Sequence, residues 1–269
     1  MKMLGRGVLV LVLAYLGVCG VLWFLENSLV FRPTRAQDAW QPAPLTDIED
    51  VDLTSADGTR VHAWWLPCPG ADQALLYCHG NAGNLSHRGG SIAKLRELLK
   101  VHVLIFDYPG YGKSGGRPTE QGCYQAADAA YGFLTDTKKI DPQKILLYGG
   151  SLGGGVAVDL ASRKPHRSLV LVKTFTSAPD AGATMLPWLP VRWLMRNRFD
   201  SITKIRACKQ PVFIGHGTRD TLIPFAQGKR LFETANEPKQ FYTLVDADHN
   251  DALPMEFFTA LRAFLEKNP

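Results

Sequence analysis

Short apolar runs alternate along the chain with longer segments in which apolar residues recur at helical spacing. The short runs are continuous, which is typical of strands buried on both faces of a sheet. They are Ala74–Cys78, Val101–Phe106, Lys144–Tyr148, Ser168–Val172, Pro211–Gly215 and Phe241–Val245. The helical segments are Leu85–Leu99, Glu120–Leu134, Leu152–Ala161, Phe225–Ala235 and Pro254–Leu265. This alternation predicts right-handed crossovers and an α/β fold with a mostly parallel, doubly wound sheet.

An antiparallel hairpin is predicted ahead of this alternation. The turn-forming pair Asp57-Gly58 interrupts the strand-like segment Asp50–Leu66, as expected for a hairpin. We therefore expect one folded domain at residues 47–269. The segment in front of it, 31–46, is rich in proline and polar residues and is predicted to be a linker.

The N-terminus carries the longest apolar segment of the chain. Val8–Leu25 contains 18 residues without a charge, close to the roughly 20 that span a bilayer as a helix. We expect residues 1–30 to form a single-pass membrane anchor. A cleaved signal peptide is the alternative, but its apolar core is usually about 7–15 residues long and ends in small residues. This run ends in Trp23-Phe24-Leu25 instead.

The charges that flank the apolar segment predict its orientation. Lys2 and Arg6 precede it, and the positive-inside rule places such residues in the cytoplasm. The folded domain would then lie on the non-cytoplasmic side. Arg32 and Arg35 follow the segment and weaken this bias.

Composition argues against several classes of protein. The net charge of +5 over 269 residues is not gathered into a Lys/Arg run, so we expect no nucleic-acid partner. The five cysteines form no C-x-x-C pair, which favours neither a zinc site nor a disulfide framework. We expect no metal and no organic cofactor.

Five glycines surround Ser151 in the segment Lys144–Val158, KILLYGGSLGGGVAV. Gly149–Gly153 matches G-x-S-x-G between a predicted strand and a predicted helix, which is the context of a nucleophile elbow. A tight turn with a structural serine is the alternative. A phosphate cradle is not supported, because the dinucleotide spacing is absent. The other candidate loop, GYGKS, has Asp107 where a P-loop requires glycine.

A serine nucleophile needs a base and an acid to orient that base. His249 follows the last predicted strand, and Asp220 follows the strand before it. The chain order Ser, Asp, His is that of α/β-hydrolase triads. Asp246, Asp248 and Asp251 are rivals for the acid, but they lie too close to His249 in sequence to reach behind its ring comfortably.

The segment Tyr77–Asn84, YCHGNAGN, follows the strand that precedes the first domain helix. This fold places one oxyanion donor there and the second beside the nucleophile. We predict the N–H groups of Asn81 and Leu152 as the two donors. A simple loop of turn-forming residues is the alternative.

The combination of motifs resembles the α/β-hydrolases, and most closely their membrane-anchored, bud-emergence-type subfamily, which includes protein depalmitoylases. The resemblance rests on HGNAGN (79–84), DYPGYGKSGG (107–116), GGSLGG (149–154), HGTRDTLIP (216–224) and DADHND (246–251). It implies an α/β-hydrolase fold and a Ser-His-Asp triad. Lys173 is a departure from the pattern, because relatives carry an acidic residue there.

An insertion at about 178–205 separates two predicted strands and contains the apolar segment Met185–Met195. A short packed helix is one interpretation. The other is a small cap whose apolar face binds an acyl chain. The candidate binding residues are Trp188, Leu189, Trp193 and Leu194.

Together these features predict a membrane-anchored serine hydrolase that cleaves carboxylic esters or thioesters of lipid-like or acylated substrates. Its expected partners are the acyl substrate and the membrane. Two alternatives remain open: an amidase or peptidase that uses the same triad, and a membrane-tethered binding module that has lost turnover.

Overall fold

The computed structural model describes residues 2–269, and an eight-stranded sheet forms the centre of the folded domain. Its strands lie in the order β10-β9-β8-β7-β4-β6-β3-β2. Only the pairs β2–β3 and β3–β6 are antiparallel; the other pairs are parallel. In chain order the elements are α1 (Lys2–Val30), β1 (Arg32–Pro33), β2 (Glu49–Thr54), β3 (Arg60–Leu66), β4 (Ala74–Cys78), β5 (Ala82–Gly83), α2 (Gly89–Leu99), β6 (His102–Phe106), α3 (Glu120–Gly132), β7 (Ile145–Gly150), α4 (Leu152–Ala161), β8 (Ser168–Val172), α5 (Ala178–Met185), α6 (Val191–Leu194), α7 (Ser201–Lys204), β9 (Val212–Gly217), α8 (Phe225–Thr234), β10 (Lys239–Leu244) and α9 (Met255–Lys267).

Helices cover both faces of the sheet. Along β7, Ile145 and Leu147 contribute to one core, while Leu146 and Tyr148 contribute to the other. The first core includes residues of α3, α4 and α8, and the second includes residues of α2 and α9. Because alternate side chains of one strand enter opposite cores, the strand needs apolar residues at every position.

The predicted fold class is confirmed, with small differences at element ends. The hairpin forms from β2 and β3, and the predicted helix at 152–161 has the same bounds as α4. The predicted helix at 85–99 begins as a 3₁₀ turn, Leu85–Arg88, before it continues as α2. Asn84 caps that turn by accepting a hydrogen bond from the Ser86 N–H, so the local polar cap sets the tighter start.

The predicted linker differs from the structure. Phe31 is only 2% exposed and belongs to the main core. Just after it, β1 pairs in parallel with β5, and the Arg35 guanidinium donates to the carbonyl oxygens of Ser114 and Gly116. The composition of this segment did not predict its attachment to the domain, because backbone pairing and polar contacts with distant residues hold it.

Helix α1 extends from the domain as a mostly exposed apolar rod. Its portion Arg6–Val30 is long and apolar enough to cross a membrane, a test that signal sequences also pass. These 25 residues correspond to about 37 Å of helix, against a hydrocarbon core of about 30 Å. The exposed part of the rod includes Val8–Leu13, whereas Cys19 is buried against the insertion.

The insertion between β8 and β9 contains the short helices α5, α6 and α7. We call the segment 178–195, which includes α5 and α6, the cap. Leu189 and Val191 of the cap pack against Cys19 of α1 in a small cluster of their own. The cap therefore contacts α1 as well as the main domain.

Candidate active site

Ser151 stands on a sharp turn between β7 and α4. Its backbone has φ 52° and ψ −123°, a conformation that costs a non-glycine residue free energy. The turn brings α4 so close to β4 that a Cβ on Gly153 would collide with the carbonyl oxygen of Cys78. A Cβ on Gly149 would collide with the backbone of Gly153. Close backbone approach around the half-buried Ser151 therefore requires glycine at positions 149 and 153.

The structure brings the three predicted triad residues together. His249 Nε2 lies 3.1 Å from Ser151 Oγ, and His249 Nδ1 lies 2.8 Å from Asp220 Oδ2. The imidazole is thus bonded on one side to the hydroxyl and on the other to a buried carboxylate. This geometry lets the ring accept the Ser151 proton while the carboxylate stabilises the imidazolium that forms.

Asp220 is held as a carboxylate by the groups around it. Its Oδ1 accepts hydrogen bonds from the N–H groups of Leu222 (3.0 Å) and Ile223 (2.7 Å). Burial by itself would raise the pKa of Asp220. The His216 imidazole, whose Nε2 lies 3.4 Å from Asp220 Oδ2, the hydrogen bond with His249 and the bond from Ile223 outweigh burial and hold this pKa well below its usual value. His216 was not singled out from the sequence; its place beside the acid is visible only in the fold.

The rival carboxylates have other partners. Asp248 accepts from the N–H and the hydroxyl of Thr221 and from the backbone N–H of His249. Those backbone bonds lower the pKa of Asp248. Asp251 accepts from the Asp248 N–H, and Asp246 pairs with exposed Arg219. Asp220 is the carboxylate that contacts the His249 ring.

Lys173 secures the loop that carries His249. It follows β8 in a left-handed conformation, with φ 47°, and its side chain is buried. Its Nζ donates to the carbonyl oxygens of Asp248 and Asp251, each at 2.7 Å. The pKa of Lys173 is lowered by burial. The sequence marked this residue only as a departure from the family pattern.

Asn81 and Leu152 lie beside Ser151. Both line the same cavity as Ser151 and His249, and a Cβ on Gly80, the neighbour of Asn81, would be 3.5 Å from Ser151 Cβ. Within residues 2–269, neither the Asn81 N–H nor the Leu152 N–H donates a hydrogen bond. Two free donors beside the nucleophile are what an oxyanion requires.

Buried polar groups support the Asn81 loop. The Asn81 side-chain oxygen accepts from the Arg32 N–H and the Tyr111 hydroxyl, each at 3.0 Å. The Tyr108 hydroxyl donates to the carbonyl oxygen of His79 at 2.8 Å. The motif DYPGYG thus supplies two tyrosines whose hydroxyl groups hydrogen-bond to the HGNAGN loop. The sequence did not predict these contacts, because the two motifs are about 30 residues apart.

A cavity of about 1140 Å³ opens above Ser151. Its lining includes Leu189 and Leu194 of the cap, two of the four predicted binding residues. Trp188 and Trp193 are absent from the described lining; they are 60% and 90% exposed. The prediction for these two tryptophans is therefore corrected: the turn before α6 and α6 itself direct Leu189 and Leu194 into the cavity and leave the indoles of Trp188 and Trp193 exposed.

The cavity offers no evident metal site. Within residues 2–269, no group of three or more His, Cys, Asp or Glu side chains is arranged to hold a metal ion. The five cysteines are free and buried.

Comparison with known proteins defines the class. The model of the alpha/beta hydrolase fold matches residues 73–201. The chain is similar to the uncharacterised protein Rv2307c of Mycobacterium tuberculosis, at 36% identity over 254 residues, 93% of this chain and 90% of that one. It is also similar to WAV2 of Arabidopsis thaliana, an alpha/beta hydrolase domain-containing protein. The two chains are 34% identical over 214 residues, which are 72% of this chain and 69% of that one. The chain belongs to the α/β-hydrolase family.

Solved structures agree on the fold. Esterase Pf2001 of Pyrococcus furiosus superposes with a TM-score of 0.73 at 23% identity, covering 88% of this chain and 97% of that one. The predicted α/β-hydrolase fold is confirmed by this match and by the family model.

Proposed function

We propose that this protein is a membrane-anchored serine hydrolase that cleaves carboxylic esters or thioesters of lipid-like or acylated substrates. The observation that supports this most strongly is the His249 ring, which bridges Ser151 and Asp220 beneath a largely apolar cavity. Relatives named as hydrolase-domain proteins and esterases of the same fold agree with it.

The reaction follows from the positions of these groups. Ser151 Oγ attacks the acyl carbonyl carbon while His249 Nε2 takes its proton, and the N–H groups of Asn81 and Leu152 stabilise the oxyanion. The bond to the leaving oxygen or sulfur then breaks, and His249 returns the proton to the leaving group. Water attacks the acyl-enzyme in the same way, passing its proton through His249 to Ser151 Oγ and releasing the carboxylic acid.

The lining of the cavity favours an acyl chain. Apolar side chains from α1, the cap and the loop that precedes α8 line the cavity around the nucleophile. Among them are Leu22, Leu189, Leu194 and Ile223. Each buried CH₂ contributes about 0.8 kcal/mol, so a long chain gains binding free energy that acetate lacks. We propose that the protein belongs to the bud-emergence-type subfamily, which its motifs and its apolar N-terminal helix support.

Amide hydrolysis is the second candidate, because it uses the same residues. The apolar lining favours esters and thioesters, since a peptide substrate would bury backbone polar groups against apolar walls. A non-catalytic binding module is disfavoured by an intact Ser-His-Asp arrangement with two free N–H donors.

Labelling and turnover test the proposal. A fluorophosphonate probe should label the wild type and Ser162→Ala, but not Ser151→Ala. A panel of acyl esters, thioesters and amides of graded chain length should then show turnover that depends on Ser151 and rises with chain length. Equal labelling of Ser151→Ala, or turnover of the amides alone, would contradict the proposal.

The anchor has its own test. We propose that α1 remains attached and that the folded domain lies on the non-cytoplasmic side. The wild-type protein should keep its first residues and stay in the membrane fraction after an alkaline wash. A reporter fused after Pro269 should be active only outside the cytoplasm. Recovery of a soluble chain that starts near residue 25 would identify a cleaved signal peptide instead.

A further inference from the structure

The cavity above Ser151 is walled on one side by α1. Leu22, Leu29 and Val30 of this helix line it together with residues of the cap. The helix that would lie in a bilayer is therefore also a wall of the candidate active site. We call the line of contact between α1 and residues 178–197, which are the cap and the two residues that follow it, the seam.

Polar contacts fix the seam. The buried carboxylate of Glu26 accepts hydrogen bonds from the backbone N–H groups of Arg196 (2.9 Å) and Asn197 (2.8 Å), and from the Arg196 guanidinium (2.9 Å). Nearer the N-terminus, the Tyr15 hydroxyl donates to the carbonyl oxygen of Trp188 at 3.1 Å. A buried charge with this many donors holds α1 in one position against the domain.

The cap continues the apolar surface of α1. Met185, Trp188 and Trp193 are largely exposed beside a helix whose own apolar side chains are exposed. Tryptophan is enriched where membranes meet water, and exposed apolar surface of this kind marks a contact with another phase or partner. The occupant that matches both surfaces at once is the lipid leaflet that would surround α1.

Cations occupy another part of the cavity lining. Arg32, Arg88 and Lys94 line the cavity beside the loops that carry Asn81 and His249. Arg88 donates to the Ala82 carbonyl oxygen, and Lys94 Nζ donates to that of Leu253 at 3.3 Å. Among the described lining residues, the only acid is Glu26, which the seam already uses. This part of the cavity therefore complements an anionic group.

We propose that the substrate is an acyl ester of an anionic, phosphate-bearing lipid that enters the cavity from the bilayer along the joined surface of α1 and the cap. Its acyl chain lies in the cavity against the side chains that α1 and the cap contribute to the lining, its carbonyl carbon reaches Ser151, and its phosphate lies beside Arg32, Arg88 and Lys94. This inference rests on the hydrolase function proposed above and adds the route of entry and the head group.

Neighbouring positions on α1 provide a matched test of the route. Leu22 lines the cavity, whereas Val21 is exposed on α1 and absent from the lining. The full chain, in phosphatidylcholine vesicles, is assayed with 1-palmitoylglycerol 3-phosphate and with p-nitrophenyl acetate. Leu22→Trp should lower the ratio of palmitoyl to acetyl turnover at least about tenfold, because pocket shape sets chain-length preference. Val21→Trp should leave that ratio near the wild-type value.

A charge test identifies the head-group region. The double variant Arg88→Gln/Lys94→Gln should lower the preference for 1-palmitoylglycerol 3-phosphate over neutral 1-palmitoylglycerol at least about fivefold. The matched control is Lys209→Gln, an exposed site absent from the lining. Palmitoyl-coenzyme A, offered in water without vesicles, tests whether a soluble phosphate-bearing acyl compound is accepted as well as a lipid. Lateral entry predicts that it is a poorer substrate than 1-palmitoylglycerol 3-phosphate in vesicles.

The outcomes separate the two proposals. If Ser151-dependent acetate hydrolysis persists but Leu22→Trp behaves like Val21→Trp, or the charge variant keeps its preference, the lipid route is wrong and the hydrolase stands. Equal turnover of soluble palmitoyl-coenzyme A would also overturn lateral entry. If the wild type turns over none of these esters, both proposals fail.

Discussion

Replacing Lys173 with Met tests whether this residue positions the loop that carries His249. The change keeps an unbranched apolar side chain and removes the ammonium group. The Lys173 Nζ donates to the carbonyl oxygens of Asp248 and Asp251, on either side of His249. The variant therefore removes both tethers of the loop without touching the triad.

The expected change in stability is small because two effects offset each other. Hydrogen bonds from a charged group contribute about 1.5–3 kcal/mol each, so the pair contributes roughly 3–6 kcal/mol. Keeping an ammonium group buried costs several kcal/mol, and the lowered pKa of Lys173 reflects this cost of burial. We expect the free energy of unfolding to change by less than about 2 kcal/mol.

The expected change in activity is larger. The Ser151 Oγ to His249 Nε2 distance of 3.1 Å depends on where the loop holds the ring. A displacement of about 1 Å at a reacting group costs on the order of 10²-fold in rate. Lys173→Met should lower kcat for a short ester about 10- to 100-fold, with KM changed by less than about threefold.

The assay measures thermal unfolding and steady-state kinetics on the same detergent-solubilised protein. Lys209→Met is the control for loss of a lysine, because Lys209 is exposed and absent from the cavity lining. A variant that keeps its kcat within about twofold would refute the positioning role. A large fall in melting temperature that accompanies the loss of activity would instead assign Lys173 to structure alone.

Three further predictions concern the triad and its support. Asp220→Asn should lower kcat by about 10⁴-fold, whereas Asp248→Asn should cost far less; equal losses in steady-state assays would mean that the acid is misassigned. Because the folded pKa of Asp220 lies below its ordinary 3.8, its stabilisation is present above that pH and is lost as the pH falls further. The difference in unfolding free energy between wild type and Asp220→Asn should therefore shrink below pH 3.8, and an unchanged difference down to acid unfolding would argue against it. Gly153→Ala should abolish folding or activity, because its Cβ would collide with the Cys78 carbonyl oxygen; a normally folded, active variant in circular dichroism and ester assays would show that the elbow can relax.

Much of the candidate site was predictable because its information is local. A continuous apolar strand followed by five glycines around one serine predicts the sharp turn at Ser151. The backbone segments at such a turn approach each other so closely that side chains would collide there. The order of Asp220 and His249 along the chain, each after its own strand, follows from the parallel sheet. The carboxyl ends of parallel strands meet at one edge, so residues far apart in sequence converge there.

The tertiary structure decided what local pattern does not encode. Asp220 and Asp248 are both acidic residues in loops, and only the packed loops show which carboxylate contacts the ring. Burial of Lys173 reverses the expectation that lysine lies in solvent, because the His249 loop supplies two carbonyl oxygens for it.

Local sequence pattern also did not predict how the cap is oriented or how it contacts α1. The apolar character of Trp188 and Trp193 predicted inward-facing side chains, yet both are exposed, because their neighbours Leu189 and Leu194 are the residues that face the cavity. The sequence determined that an apolar helix precedes an α/β-hydrolase domain. Only the fold determined that this helix, through the buried carboxylate of Glu26, forms a wall of the candidate active site, since that contact joins residues about 170 positions apart.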